Sequence, residues 1–422
     1  MSELNLAPYT AKAIEVASTP MTAKPAATFD FISTYADFAD VFEMPREVHQ
    51  WVAAQMIASV LNGNVQIPWG PVTYPLDFWI LLLSGSGQGR NTATDVALEV
   101  MEAAQIKGLL HKTTWGSKAA FYQQVAESPR GLYVWPELSI ALRTLNDPKF
   151  AGVKEWITDR YDNHRVPEAV TYRKTGKKSD TPPIVFDEAP RLNILATSSS
   201  DWFLNNLEQA DTTGGFIPRW LPKRVGKSDR LIPKPKSPNR ELLPVLGDEL
   251  ASISKLQGDA DLSQVERLYE EWYRKASPRF EGQPNSALAV PFFNRLRGEV
   301  LKLAVIFQVS QSGTLKVTEQ ALNRAIAVVS DAEETIIEFL PSGMSREGSE
   351  VEKMAERIRS AGPAGMTQSA LTRSFQHWKS RERQERLATL MDSQKIRSVP
   401  IHTVGRTGKL YVHEDYPAEG QG

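Results

Sequence analysis

The chain has 422 residues, a formal net charge of −1 and 41% hydrophobic residues, enough for two or three domains of ordinary globular composition. It has no cysteine, which excludes disulfides, thiol catalysis and Cys-based zinc sites, and its six histidines form no H-x-x-x-H pair, so no dedicated metal site is expected. No apolar run reaches bilayer length and the N-terminus lacks the basic start and apolar core of a secretory signal, so the expectation is a cytoplasmic protein with no membrane partner.

In chain order, residues 1–28 are rich in Ala, Thr, Pro and Ser and read as a disordered arm. Residues 29–75 read as an N-terminal helical flank. Aromatics interleave with Asp over 29–42, then Val48, Val52, Met56 and Val60 recur at helical spacing until Asn62-Gly63-Asn64. A proline-rich connector over 67–75 leads into the next segment.

The segment 76–240 reads as an α/β core. Residues 78–83 are apolar throughout, as in a strand buried on both faces of a parallel sheet. They run into Ser84-Gly85-Ser86-Gly87-Gln88-Gly89-Arg90-Asn91-Thr92, and a helix-compatible segment follows. Strand, spaced glycines and helix make the layout of a P-loop. The glycines let the backbone bend around a phosphate, and the helix start aims free N–H groups at it. Gly85, Gly87, Gly89, Arg90, Asn91 and Thr92 are therefore the candidate nucleotide-binding residues. The loop departs from G-x-x-x-x-G-K-[ST]: with Gly89 as the second glycine, Ser84 replaces the first, Arg90 the lysine and Asn91 the hydroxyl residue.

Residues 108–115 read as a second strand and loop. Ser117 is placed to cap a helix ending at Glu127, and 131–135 reads as a buried strand ending in Pro136-Glu137. Helical segments are expected over 140–145 and 149–163. A hairpin is expected over 166–186, its tip carrying four cations in six residues: Arg173, Lys174, Lys177 and Lys178. The strand at 191–196 ends in Thr197-Ser198-Ser199-Ser200, and Gly214-Gly215 precede Arg219. Residues 218–240 hold many cations, several prolines and one acid, Asp229, which suits an exposed connector.

The segment 241–343 reads as a helical lid, with long amphipathic helices over 262–276, 291–308 and 317–340, the last capped by Thr318. The segment 347–416 reads as three helices and a two-stranded ribbon, the pattern of a winged helix. Its cations include Arg381, Arg383 and Arg406.

Taken singly, each signal has a plain alternative. Glu137 is equally a surface acid after a strand, the hydroxyl cluster a Ser-rich cap, Arg219 a stacked arginine, and the basic tip a solvated turn. Their order is more specific. Glycine loop, LYVWPE, basic hairpin, LNILATSSSDWF, TGGFIPRW and the lid helices with Arg295-Leu296-Arg297 occur in one chain. Over residues 48–340 it resembles the P-loop ATPase-like proteins, often labelled primase- or helicase-like, of phage, plasmid and genomic-island replication regions. These are relatives of the minichromosome-maintenance and superfamily-3 hexameric helicases.

The resemblance implies an AAA+-like fold that binds ATP with Mg2+, assembles into a homo-oligomeric ring such as a hexamer, and engages DNA and replication or mobile-element proteins. It implies Glu137 as catalytic carboxylate, Ser198 or Thr197 as the polar contact to phosphate or water, and Arg219 as a finger reaching a neighbour's nucleotide. Arg295 and Arg297 become lid contacts, and Arg173, Lys174, Lys177 and Lys178 the grip on DNA. The departures weaken the chemistry. Arg90 is planar and forked where a compact ammonium is usual, and Pro136 stands where a magnesium-linked Asp is expected. The expectation is a DNA-binding, helicase-like protein with slow or lost hydrolysis. An active ATP-driven translocase and a scaffold for a protein partner are the alternatives.

Overall fold

Aspartate and aromatics at 29–42 fold as a helix, α1 (Phe31–Ala39), which Asp30 caps by accepting from the Ser33 N–H at 3.4 Å. The computed structural model describes residues 29–85, 90–112, 115–171, 182–200, 202–203, 211, 214–226, 230–283, 286–339, 346–376, 378–403, 406–414 and 416. They form two units, Met1–Ile337 and Glu338–Gly422.

In the larger unit, α2 (Arg46–Leu61) is buried from Trp51 to Leu61. The expected connector after it is instead an antiparallel hairpin, β1 (Val65–Trp69) and β2 (Val72–Pro75). Val65 and Ile67 alternate with exposed Gln66 and Pro68, a period-2 pattern the prolines mask, and Gly70 turns the chain at φ 58°.

β3 (Trp79–Ser84) is buried along its whole length. It is followed by α3 (Arg90–Ala103), β4 (Leu110–Lys112), α4 (Lys118–Glu127), β5 (Arg130–Trp135), α5 (Leu138–Leu145), α6 (Val153–Asp162), β6 (Arg191–Ser199) and β7 (Leu221–Arg224). Ser117 caps α4 by accepting from the Ala120 N–H at 3.2 Å. The five strands form one all-parallel sheet in the order β4-β5-β6-β3-β7. Helices between parallel strands make this a mixed α/β unit.

Two further features of the larger unit differ from the sequence expectation. The start of the supposed connector at 218–240 is β7, an edge strand whose Leu221, Pro222 and Lys223 are buried. Lys223 misleads because its charge is neutralised inside: its ammonium pairs with Asp331 at 2.8 Å and Glu47 at 3.2 Å. The unanticipated helix α7 (Leu242–Ile253) packs Gly247 so closely on Ala103 that a Cβ there would lie 2.7 Å from backbone.

The remaining elements are β8 (Gly258–Asp259), parallel to β1, and three helices: α8 (Glu266–Glu281), α9 (Ser286–Ser312) and α10 (Glu319–Glu334). Thr318 caps α10 through the Ala321 N–H. Among the described residues no helix is long and apolar enough to cross a membrane.

The smaller unit contains α11 (Arg346–Arg359), β9 (Met366–Thr367), α12 (Gln368–Ser374), α13 (Ser380–Asp392), β10 (Ile396–Thr403) and β11 (Arg406–His413). The expected two-stranded ribbon gains a third strand, giving the antiparallel order β10-β11-β9. Met354, Ile358, Trp378, Leu390 and Tyr411 build its core.

Candidate functional site

In a parallel sheet all strands end at one edge, and backbone groups and loops there are free to meet a ligand. β3 ends at that carboxyl edge, and Gly85 follows it, exposed. Residues 86–89 lie outside the described residues, Gly87 and Gly89 among them, and α3 begins at Arg90 on their far side. Asn91 is exposed and Thr92 half-buried. Thr94 ties the first turn by donating to the Asn91 carbonyl at 2.7 Å.

β6 lies between β3 and β5. Leu83 pairs with Ser198 and Ser84 with Ser199, while Trp135 pairs with Ala196. This register brings Glu137, two residues past Trp135, level with Ser198. The Ser198 hydroxyl donates to Glu137 Oε1. The same oxygen caps α5, accepting from the Ser139 hydroxyl at 2.8 Å and its N–H at 3.4 Å. Thr197 donates to the Pro136 carbonyl at 2.5 Å, so Pro136 contributes a backbone acceptor and no side-chain ligand. Two strand spacings put Glu137 about 10 Å from the start of the glycine segment. The structure thus brings Gly85, Ser198 and Glu137 to one edge, with Glu137 half-buried between hydroxyls.

Arg219 and Arg295 sit elsewhere. Leu221, the first residue of β7, pairs with Ile80 near the start of β3, and Arg219 lies in the turn just before it, at the amino edge. Arg219 is buried, donates to the Gly215 carbonyl, and pairs with Asp162 at the end of α6. Arg295 of α9 meets the other oxygen of the same carboxylate at 2.5 Å. Arg297 is exposed, and its carbonyl accepts from the Tyr269 hydroxyl at 3.0 Å.

That amino edge also holds charged residues that sequence reasoning missed. Lys302 of α9 donates to the Asp77 carbonyl at 2.7 Å, to Glu299 at 2.9 Å and to the Tyr161 hydroxyl at 3.1 Å. Tyr161 in turn donates to Glu299 at 2.5 Å. His164 Nδ1 lies 3.6 Å from the Asp77 carboxylate. Burial pushes the Asp77 carboxyl up to about 7 against the pull of Arg191 and Lys302. Burial, with Arg191 and Lys302 nearby, lowers His164 to about 4. A signal was present: Glu299 and Lys302 interrupt an apolar helix face, and Asp77 interrupts the apolar run into β3.

Of the residues expected to hold DNA, Arg173, Lys174, Lys177 and Lys178 lie outside the described residues. The stem below them is present as a two-way backbone pair between Val170 and Ile184, both bonds 2.9 Å. In the smaller unit Arg381 is exposed and pairs with Glu385 at 2.8 Å. Arg383 is turned inward, donating to the Phe375 carbonyl at 3.1 Å and to that of Trp378. Arg386 pairs with Glu350 and lies 4.3 Å over the Trp378 ring. Arg406 opens β11; its side chain lies outside the described residues.

Compared with models of known protein families and with curated proteins, the chain matches none.

Proposed function

We propose that this chain is a DNA-associated, ring-forming protein of hexameric-helicase ancestry whose P-loop-like edge binds a nucleotide and hydrolyses it slowly or not at all. The observation that carries the reading is the shared carboxyl edge. Gly85 leaves β3 where Glu137 leaves β5, and Ser198 between them is bonded to Glu137. A triphosphate seated after β3 would have its last phosphate toward that carboxylate, where an attacking water is oriented in phosphoryl transfer. Weak turnover follows from the residues that surround it. Pro136 gives no carboxylate, and Asn91 replaces the hydroxyl that would hold Mg2+, so the clamp on developing charge is thin.

DNA enters this reading through the basic tip above the Val170–Ile184 stem and through the smaller unit, whose order of helices and strands suits a winged helix. ATP turnover with and without DNA, for wild type and Glu137→Gln, tests the site. The expected result is binding of a fluorescent ATP analogue with turnover near background in every sample. DNA-stimulated turnover abolished by Glu137→Gln would establish an active motor instead. Failure to bind the analogue removes the nucleotide site. Salt-sensitive oligonucleotide binding that Arg173, Lys174, Lys177 and Lys178 replaced by Ala abolish is expected for the tip. Images of particles with and without DNA test the ring.

A second reading for the smaller unit is favoured by α13. Arg383 and Arg386 are spent on internal contacts, and the exposed positions of α13, which run from Ser380 to Asp392, carry one cation, Arg381, against two acids, Glu385 and Asp392. Such a face suits a protein partner better than a phosphate backbone.

A further inference from the structure

The hairpin β1–β2 and the helix α8 leave a row of aromatic side chains half open at the surface. In the antiparallel register Trp69 pairs with Val72 and Ile67 with Tyr74, so all four lie on one face of the hairpin. Ile67 is buried, Trp69 and Tyr74 are half-buried, and Val72 is 47% exposed. Trp69 meets Tyr269 of α8 edge to face at 4.8 Å, and Tyr269 stacks on the half-buried Tyr273 at 6.4 Å. Tyr74 packs on α9, where a Cβ at Gly298 would lie 2.9 Å from its ring. The polar ends of these rings are open. The indole N–H of Trp69 and the hydroxyls of Tyr74 and Tyr273 reach water and have no partner among the described residues. The row thus offers ring faces and hydrogen-bond donors together.

A segment of the same chain offers the reverse. Pro235 and Pro238 fix their own backbone, and Ser237, which precedes a proline, is pushed to an extended conformation, so the spacing P-x-x-P sets one turn of polyproline II. The chain bends at Pro233-Lys234 and then runs without a turn over 235–239. It is pinned at both ends. Arg230 pairs with Asp40 and the Ile232 N–H donates to Glu43 at 2.8 Å on one side; Arg240 pairs with Glu99 of α3 on the other. Between the pins, residues 233–237 are exposed, and among the described residues no hydrogen bond involves 233–238. The carbonyls there are acceptors without donors, and the pins have already removed much of the segment's conformational freedom. Lys234 and Lys236 are exposed and form no ion pair among the described residues.

Proline-rich segments are read by aromatic-lined grooves. Trp69 and Tyr273 flank Tyr269 and are no more than about 11 Å apart, against about 9 Å for one turn of polyproline II. Glu266, Glu270 and Tyr273 fall on one face of α8 by helical spacing; Arg274 pairs with Glu270, which leaves Glu266 for a lysine of the segment. We propose that Trp69, Tyr74 and Tyr273 take residues 235–238 of a second copy of this chain, ring faces against the prolines and donors to the carbonyls. A second copy is the occupant because this chain itself carries the matching segment, exposed and bonded to nothing in its own protomer. The contact uses no residue of the carboxyl edge and holds whether or not a nucleotide binds there.

The test uses the full chain. A fluorescein-labelled peptide of residues 230–240 is titrated by anisotropy with wild type, Tyr273→Ala and Trp69→Phe. Self-association is followed by sedimentation velocity over protein concentration for wild type and for Pro235→Ala with Pro238→Ala. Wild type is expected to bind the peptide. Tyr273→Ala, which removes a ring, is expected to weaken binding about tenfold, and Trp69→Phe, which keeps a ring and loses the N–H, about fivefold. The double proline variant is expected to raise the concentration needed for self-association about tenfold. No peptide binding, or binding that Tyr273→Ala and Trp69→Phe both leave unchanged, overturns the proposal. Peptide binding at the aromatic row with self-association unchanged in the proline variant overturns the second copy as occupant. Oligonucleotide binding lost in Lys234→Ala with Lys236→Ala, at unchanged self-association, assigns the segment to nucleic acid and overturns the proposal as well. Should Tyr273→Ala fail to fold, Trp69→Phe and the proline variant decide; wild-type behaviour of both overturns the proposal.

Discussion

The two edges of the parallel sheet hold charge in opposite ways. At the carboxyl edge Glu137 is half-buried among hydroxyls and caps α5. At the amino edge Tyr161, Glu299 and Lys302 are packed out of water and bonded to one another, and Lys302 also to the Asp77 carbonyl. The first arrangement satisfies its acid with neutral donors, hydroxyls and a helix start; the second uses charge-assisted bonds to join α9 to the sheet. Buried ions are tolerated only when paired, so removing one partner there strands the other. Counting charges would rank the amino edge as the active one. The proposed function lies at the other edge, where the acid is met by neutral donors rather than by a buried cation.

The largest effect should come from Lys302→Met. It leaves Glu299 buried beside Tyr161 with no cation, and the expected loss is about 3–5 kcal/mol of unfolding free energy. Replacing both partners, Glu299→Leu with Lys302→Met, should recover most of that loss, because no charge is left stranded. Glu137→Gln at the other edge should change stability by about 1 kcal/mol or less, since the amide still accepts from Ser198 and Ser139. Urea unfolding of the four proteins gives the comparison. A Lys302→Met loss no larger than that of Glu137→Gln would erase the distinction between the edges.

The next effect is in pH. Asp77 binds its proton with a pKa near 7 in the fold against 3.8 when unfolded, so it alone makes stability fall as pH rises from about 4 to 7. His164 has the reverse shift, to about 4 from 6.5, so it alone makes stability fall as pH drops from about 6.5 to 4. Between those limits the folded pair keeps its one proton on Asp77, and the unfolded pair keeps it on histidine. The proton counts match, and the two slopes cancel. Asp77→Asn should therefore show stability rising with pH through this window, by about 1.4 kcal/mol per unit at most, and His164→Gln should show it falling equally. His49, lowered to about 4 by burial, adds the same slope to every protein, so the differences between variants are what thermal melts should report. Parallel curves for all three would show that Asp77 and His164 do not exchange a proton on unfolding.

Much of the fold was written in local pattern. The buried run at 78–83, the Ser117 and Thr318 caps and the three helices of the smaller unit were legible because propensity, capping and periodicity agreed there. β7 was not, since Lys223 and Arg224 read as solvent-facing until Asp331 and Glu47 are seen to neutralise the lysine. β1 and β2 were hidden by prolines: Pro75 is on the edge strand β2, and Pro68 on the part of β1 beyond Val65 and Gln66, where β8 pairs. Of the candidate site, the strand ends that carry Gly85, Ser198 and Glu137 could be located in the sequence, but not that β6 lies between β3 and β5. That Arg219 and Arg295 share Asp162 could not, because α6, α9 and the turn before β7 are far apart in sequence and nothing local links them.

An effect as small as that of Glu137→Gln isolates the hydroxyl at the carboxyl edge. Ser198→Ala removes one hydroxyl that donates to Glu137, while Ser139 continues to hold the same oxygen from two sites. The substitution deletes a donor and leaves an acceptor with other partners, so no polar group is stranded. A loss of about 1 kcal/mol is expected, several-fold less than for Lys302→Met. If Ser198→Ala instead unfolds as readily as Lys302→Met, the hydroxyl is holding β5 to β6 and the carboxyl edge is as structural as the amino edge. If it unfolds like wild type yet binds a fluorescent ATP analogue with altered affinity, the hydroxyl meets the ligand, and the contrast between the edges becomes one of chemistry as well as packing.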